Sequence, residues 1–277
     1  MVALARAGLG LKPDAQMQLD GLVCDLDGVV YRGKEAIPGS VEAIHELRSM
    51  GIRLVFATNN AMRTVGQFLA RLEALGVEAH EDDLVTSAVV TVEELARRGL
   101  ETADVMLVGG DGIREALERS GAKLLPLDRG RDAEVVVVAS TPRFTFDDMN
   151  AAAAAVRNGA TFVATNADPT YPTELGLQPG AGAILASIET ASGREAEIMG
   201  KPHRPMMEAI ARRFQGLNAI GAVGDQPRTD LAGAQAMGWT TILVLTGVLD
   251  DASARKLSPP PDLVLGSLAE LPALLNR

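Results

Sequence analysis

The chain has 277 residues, 47% of them hydrophobic and 22% charged, a balance that suits one large or two ordinary globular domains with a real core. With 26 basic and 36 acidic residues the net charge is −10. That argues against a nucleic-acid backbone or an anionic membrane as the main partner, but not against a small anionic substrate held by local charge.

The lead-in, residues 1–18, carries short apolar pieces interrupted by Gly8, Gly10 and Pro13, too short and broken for a signal peptide or a membrane span. Leu22-Val23-Cys24 reads as the end of a buried strand, followed by Asp25-Leu26-Asp27-Gly28-Val29. Strand alternation would aim Asp25 and Asp27 the same way. Ser40 is placed to cap a helix carrying Val41, Ile44 and Leu47, stopped by Gly51. Residues 53–57 form the next strand, with Thr58-Asn59-Asn60 at its end. A helix with Val65, Phe68, Leu69 and Leu72 on one stripe and a further helix over 87–98 follow.

The alternation then restarts. Strands are expected at 105–108, 135–139 and 161–164, an alanine-rich helix at 147–157, a Pro/Gly-rich loop at 166–180 and a helix at 181–191. Ile198-Met199-Gly200-Lys201-Pro202 leads into the closing part. There a strand at 220–223, the loop Gly224 to Asp230, a helix to Met237, a strand at 241–245, a strand at 263–265 and a final helix are expected. Strands alternating with helices predict an α/β fold with a parallel sheet.

Four segments carry polar groups at strand ends or before helices: Asp25 with Asp27, Thr58 with Asn59, Lys201, and Asp225 with Asp230. If the strands are parallel, all four lie along one edge of the sheet, where open α/β folds bind ligands. Each alone has an ordinary reading as a turn former, helix cap or solvated charge. Together they suit phosphoryl transfer. Asp25 and Asp225 are hard oxygen ligands for Mg²⁺, which offsets the repulsion among the acids. One Asp carboxylate can act as nucleophile, and Asp27 can protonate the leaving oxygen and then activate water. Lys201 supplies a point positive charge, and the Thr58 hydroxyl can bind phosphate oxygens.

The single cysteine, Cys24, permits no intrachain disulfide and fits a reducing cytoplasm; the three histidines and this cysteine show no zinc spacing. Gly109-Gly110-Asp111-Gly112 lacks the G-x-G-x-x-G spacing of a dinucleotide site. Gly180-Ala181-Gly182 is read as close packing before a helix.

The segments Asp25 to Val29, Thr58-Asn59-Asn60, Gly200-Lys201-Pro202 and Gly224-Asp225 with Thr229-Asp230 resemble the four motifs of the haloacid dehalogenase (HAD) superfamily. Tyr31-Arg32-Gly33, Ile37-Pro38-Gly39, Ala164-Thr165-Asn166 and Pro179-Gly180-Ala181-Gly182 resemble its p-nitrophenyl phosphatase-like (NagD-like) subclass. The resemblance implies a Rossmann-like parallel-sheet core, 19–96 and 195–277, with an α/β cap inserted at 97–194. It implies a Mg²⁺-dependent phosphatase for a small phosphomonoester such as phosphoglycolate, glycerol phosphate, a sugar phosphate or pyridoxal phosphate. Asp25 would be nucleophile and metal ligand, and Asp27 the acid/base with its backbone carbonyl on the metal. Asp225 would be a further ligand, and Asp230 would act at the metal through water or by fixing the loop. Thr58, Asn59, Asn60 and Lys201 would bind phosphate, and Tyr171, in the cap segment Asp168 to Pro172, would face the substrate. By analogy with relatives that pair through the cap, a homodimer is a further expectation, and the cysteine usage sets the expected location in the cytoplasm. Ser140-Thr141-Pro142 and Gln226 depart from common family residues and bear on substrate choice. The rival readings are a phosphomutase and a non-catalytic sensor of a phosphorylated metabolite.

Overall fold

The computed structural model of the protein describes residues 17–173 and 176–275, so most of the expected lead-in lies outside the described residues. The chain divides into two compact units. One takes residues 1–58, 69–85 and 207–277 as far as they are described; the other takes 59–68 and 86–206, so its longer segment is inserted into the sequence of the first.

The first unit is built on a six-stranded sheet, in the order Leu263–Leu265, Thr240–Val244, Ile220–Gly224, Gly21–Cys24, Arg53–Thr58, Leu84–Thr86. The four pairings from Leu263–Leu265 across to Arg53–Thr58 are parallel. Parallel strands covered on both faces read as unbroken apolar runs. Accordingly Gly21–Cys24 and Ile220–Gly224 are buried at every residue. Leu22, Val55 and Ile242 are wholly buried, and each such side chain contributes about 1.5–3 kcal/mol. From the Gly21–Cys24 strand the chain builds outward to Arg53–Thr58 on one flank, and the later strands fill the other. The order therefore switches between Gly21–Cys24 and Ile220–Gly224, the crevice where such sheets bind ligands.

The helix expected from Ser40 runs Ser40–Ser49 and buries Ala43, Ile44 and Leu47. Its N-cap is Gly39 rather than Ser40, whose hydroxyl instead donates to the Val30 carbonyl at 2.8 Å. The expected final helix is two short 3₁₀ turns, Leu268–Glu270 and Pro272–Leu274, because Pro272 cannot donate to a continuing helix.

The second unit has a wholly parallel five-stranded sheet in the order Glu197–Ile198, Thr161–Ala164, Val135–Val138, Asp104–Val108, Lys123–Leu124. All four valines of Val135–Val138 are fully buried, as a central parallel strand requires. Helices Phe146–Arg157 and Ala181–Ser192 pack on each other and into a core with Met106, Val136, Phe162 and Ile188. A capping box starts the first of these: the Thr145 hydroxyl accepts from the Asp148 N–H, and the Asp148 carboxylate accepts from the Thr145 N–H. The segment expected as a loop over 166–180 contains an antiparallel hairpin, Thr170–Thr173 with Gly176–Pro179. Among the described residues no helix is long and apolar enough to cross a membrane. The fold is the α/β parallel-sheet architecture that the alternation of strands and helices predicts.

Candidate active site

Gly21–Cys24 and Ile220–Gly224 are neighbours in register, Cys24 beside Val223. The chain leaves both strands at the same sheet edge, and the Asp25 N–H donates to the Val223 carbonyl at 3.0 Å. Asp25 therefore follows one strand and Asp225 the next, across the switch point. Asp225 opens a loop that turns through Pro227–Leu231, which carries Asp230 back: its carboxylate accepts from the Gln226 N–H at 3.1 Å. Carboxylate oxygens of Asp25, Asp225 and Asp230 lie within 4.8 Å of one another. All three residues are at most 8% exposed. Three buried acids so close repel strongly unless a cation or proton is shared among them. Clustered hard carboxylate oxygens of this kind suit a divalent cation such as Mg²⁺.

The backbone at 25–31 is a tight turn. The Leu26 carbonyl accepts from Val29, Val30 and Tyr31, and Gly28 lies in the left-handed region at φ 87°. A Cβ at Gly28 would stand 2.8 Å from the Asp225 carboxylate, and one at Gly247 would overlap it. These two glycines form the walls that seat Asp225. The Thr246 hydroxyl joins them, donating to the Gly28 carbonyl at 2.6 Å, while the Arg32 guanidinium donates to the Thr246 carbonyl.

The strand ends at Cys24, so both acids lie just past it; Asp25 is buried and Asp27 exposed. The Asp27 side chain is outside the three-acid cluster. Thr58 is the buried last residue of Arg53–Thr58, the strand on the other flank of Gly21–Cys24.

The Lys201 segment departs from the expectation of one shared sheet edge. The strand before it, Glu197–Ile198, pairs with Thr161–Ala164 in the sheet of the second unit. Lys201 is 6% exposed, and its backbone is gripped by Asn59 of the same unit. The Lys201 N–H donates to Asn59 Oδ1 at 2.7 Å, and Asn59 Nδ2 donates to the Lys201 carbonyl at 3.1 Å. The same Nδ2 donates to Asp168 Oδ2 at 3.1 Å. Both amide hydrogens of Asn59 thus go to Lys201 and Asp168. The Asn60 side chain accepts from the Met62 N–H at 2.9 Å, an ordinary turn contact. Tyr171 is half-buried on the 170–179 hairpin.

Two glycine-rich helix starts bind protein rather than anions. At Asp111–Ser120 the N–H groups of Gly112 and Ile113 donate to the carbonyls of Met62 and Ala61. At Ala181–Ser192 the Gly182 N–H donates to Asp168. Sequence reasoning did not single out Thr246 or Gly247, and it read Asn166 only as part of the subclass segment Ala164-Thr165-Asn166. Thr246 and Asn166 matter through contacts with residues more than a hundred positions away, while Gly247, which seats Asp225, carried a local signal as a glycine just past a strand.

Models of known families match two stretches: haloacid dehalogenase-like hydrolase over residues 22–123 and HAD-hydrolase-like over 198–271. The chain is 40% identical over 231 residues to the D-glycerol 3-phosphate phosphatase of Mycobacterium tuberculosis, covering 83% of this chain and 64% of that protein. It therefore spans somewhat under two thirds of that relative's length. It is 32% identical over 252 residues to a 5′-nucleotidase of Bacillus subtilis, covering 90% of this chain and 96% of that one. Among solved structures, the p-nitrophenyl phosphatase of Archaeoglobus fulgidus superposes with a TM-score of 0.86 at 32% identity, covering 93% and 100% of the two chains. The M. tuberculosis glycerol phosphate phosphatase in complex with magnesium superposes at 0.83 and 35%, covering 92% and 76%. NagD of Escherichia coli superposes at 0.81 and 31%, covering 92% and 98%. The chain belongs to the haloacid dehalogenase-like hydrolases, in their p-nitrophenyl phosphatase-like, NagD-like subclass.

Proposed function

We propose that this chain is a Mg²⁺-dependent phosphatase that hydrolyses a small phosphomonoester through an aspartyl-phosphate on Asp25. The observation that carries this reading is the convergence of Asp25, Asp225 and Asp230 at the switch point of a parallel sheet. The names of the M. tuberculosis, B. subtilis and A. fulgidus relatives support the class, since they denote phosphatases or a nucleotidase, and one relative's structure is a complex with magnesium.

The carboxylates of Asp25, Asp225 and Asp230 and the Asp27 carbonyl would hold the ion. Bound there, Mg²⁺ offsets their mutual repulsion and attracts the phosphate. An Asp25 oxygen attacks phosphorus; a P–O bond to Asp25 forms as the ester P–O bond breaks. Asp27, exposed and outside the cluster, is the group left to move protons. It gives one to the leaving alkoxide, then takes one from water as that water attacks the phosphorus. Phosphate leaves and the Asp25 carboxylate is restored. Lys201 and the Thr58 hydroxyl neutralise and orient the phosphoryl oxygens. The inserted segment expected over 97–194 supplies substrate contacts, with Tyr171 foremost. Glycerol phosphate heads the substrate candidates on the name of the M. tuberculosis relative, ahead of phosphoglycolate, sugar phosphates and pyridoxal phosphate.

The test is release of inorganic phosphate from p-nitrophenyl phosphate. Asp25→Asn should lower kcat by at least about 10³-fold with the melting temperature little changed, and chelation should abolish turnover reversibly. Turnover that survives both refutes the mechanism. An isomerised ester without free phosphate would identify a mutase, and tight binding without hydrolysis across a broad panel of phosphorylated metabolites would identify a sensor.

A further inference from the structure

Asn59, Asn166 and Asp168 close a ring of hydrogen bonds. The Asn59 side-chain amide donates to Asp168 Oδ2 at 3.1 Å. The Asp168 N–H donates to Asn166 Oδ1 at 3.1 Å. The Asn166 amide donates to the Asn59 carbonyl at 2.8 Å, which also accepts from the Ser87 hydroxyl at 2.7 Å. Asn166 is 6% exposed. The ring draws on three places far apart in sequence: the residue after Arg53–Thr58, the segment after Thr161–Ala164, and the start of Ser87–Arg97. Asp168 is fixed further by its carbonyl, which accepts from the Gly182 N–H at 2.9 Å.

From this ring Asn59 reaches out and holds the backbone of Lys201 on both sides of the residue, accepting from its N–H and donating to its carbonyl. A side-chain amide is suited to this, because one planar group presents an acceptor and two donors in fixed geometry. A carboxylate cannot donate, and a hydroxyl cannot span both partners. With Nδ2 divided between Lys201 and Asp168, Asn59 has no amide hydrogen left for a phosphate oxygen.

We propose that the side chains of Asn59 and Asp168 position Lys201 rather than bind phosphate. Asn59 sets where the Lys201 backbone sits, and Asp168 sets the orientation of the Asn59 amide. The proposal rests on the reading of Lys201 as the phosphate-binding cation and replaces the expected role of the Asn59 side chain. A consequence is that the hairpin carrying Tyr171, which begins two residues after Asp168, shares one network with the lysine. A substrate contact on that hairpin and the phosphate contact are then held by the same ring.

The experiment uses the full chain with p-nitrophenyl phosphate as substrate and inorganic phosphate as binding probe. Asn59→Asp sets two carboxylates against each other and removes the donor to the Lys201 carbonyl. It should lower kcat/KM about 100-fold, the scale of a 1 Å misplacement, and reduce the rise in melting temperature that phosphate gives the wild type. Asp168→Asn keeps an acceptor toward Asn59 and should stay within about fivefold of wild type. Joining the two changes restores a donor–acceptor pair with its direction reversed. The double variant should therefore recover about tenfold over Asn59→Asp alone, a rescue that general loss of structure would not give. A folded Asn59→Asp within about threefold of wild type overturns the proposal, as does a double variant no better than Asn59→Asp. If Asn59→Asp fails to fold, Asp168→Ala is compared with Asp168→Asn. The alanine should lose about tenfold more, and equal losses overturn the proposal. A wild type that binds phosphate but turns over no ester would instead overturn the phosphatase reading, while the binding arm still reads the positioning of Lys201.

Discussion

Gly28→Ala separates the seating of Asp225 from simple backbone strain. Gly28 sits at φ 87°, and an added Cβ would lie 2.8 Å from the Asp225 Cγ. Carbon atoms rest at about 3.5 Å or more, so the carboxylate must retreat by about 0.7 Å or the turn must open. Gly51 is the control. It sits at φ 83°, and its Cβ would meet nothing within 4 Å. Both alanines carry the left-handed penalty of about 1–2 kcal/mol, worth a few degrees of melting temperature in a chain of this size. Only Gly28→Ala also disturbs a member of the acid cluster. Groups that hold metal ligands in place are typically worth about 10–100-fold in metal affinity. The Mg²⁺ concentration for half-maximal hydrolysis of p-nitrophenyl phosphate should therefore rise about tenfold or more in Gly28→Ala and stay within about twofold in Gly51→Ala. Scanning fluorimetry with and without Mg²⁺ should agree: both variants melt lower without the ion, but only Gly28→Ala loses the gain the ion brings. Equal Mg²⁺ dependence in the two variants would refute the idea that Gly28 and Gly247 seat Asp225.

Two further predictions address the scaffold. The Asp20 carboxylate accepts from the backbone N–H groups of Ala219 and Asn218, which hold its pKa below the ordinary 3.8. A depressed carboxylate stabilises the fold above its unfolded pKa and loses that contribution as pH falls through the lower folded value. Asp20→Asn should thus lower stability at pH 7 and flatten its decline on acidification below about pH 4, read from urea midpoints across pH; an unchanged acid limb would contradict the assignment. In the second unit, Ile188 is wholly buried, and Ile188→Ala should cost about 2–5 kcal/mol of stability, seen as a lower urea midpoint. A loss under about 1 kcal/mol would mean that this core is less closely filled than the structure shows.

Much of this was legible in the sequence, and the reason is local. The first strand, the strands at 53–58, 135–138 and 220–224, and the polar residues just past them announce themselves because buried parallel strands are unbroken apolar runs and polar residues mark their ends. What stayed hidden depends on distant partners. Glu197–Ile198 is only two residues long, and nothing in its own sequence says that it joins Thr161–Ala164. The 170–179 hairpin was masked by Pro172 and Pro179, which break the strand pattern and are tolerated at such sheet margins. The Asn59 amide looked like a phosphate ligand beside Thr58; only the fold reveals that its partner is the backbone of Lys201, 142 positions on. Asp27 shows a different limit: a period-2 argument holds only within the strand, and this one stops at Cys24, before both acids.

The account turns on Asp25 as the residue that accepts the phosphoryl group. Acid quenching during steady-state turnover of p-nitrophenyl phosphate, followed by proteolysis and mass spectrometry, should find a phosphoryl group on the peptide containing Asp25. It should be removable by hydroxylamine and absent in Asp25→Asn. Rapid turnover with no label on Asp25, or with the label on another residue, would contradict it.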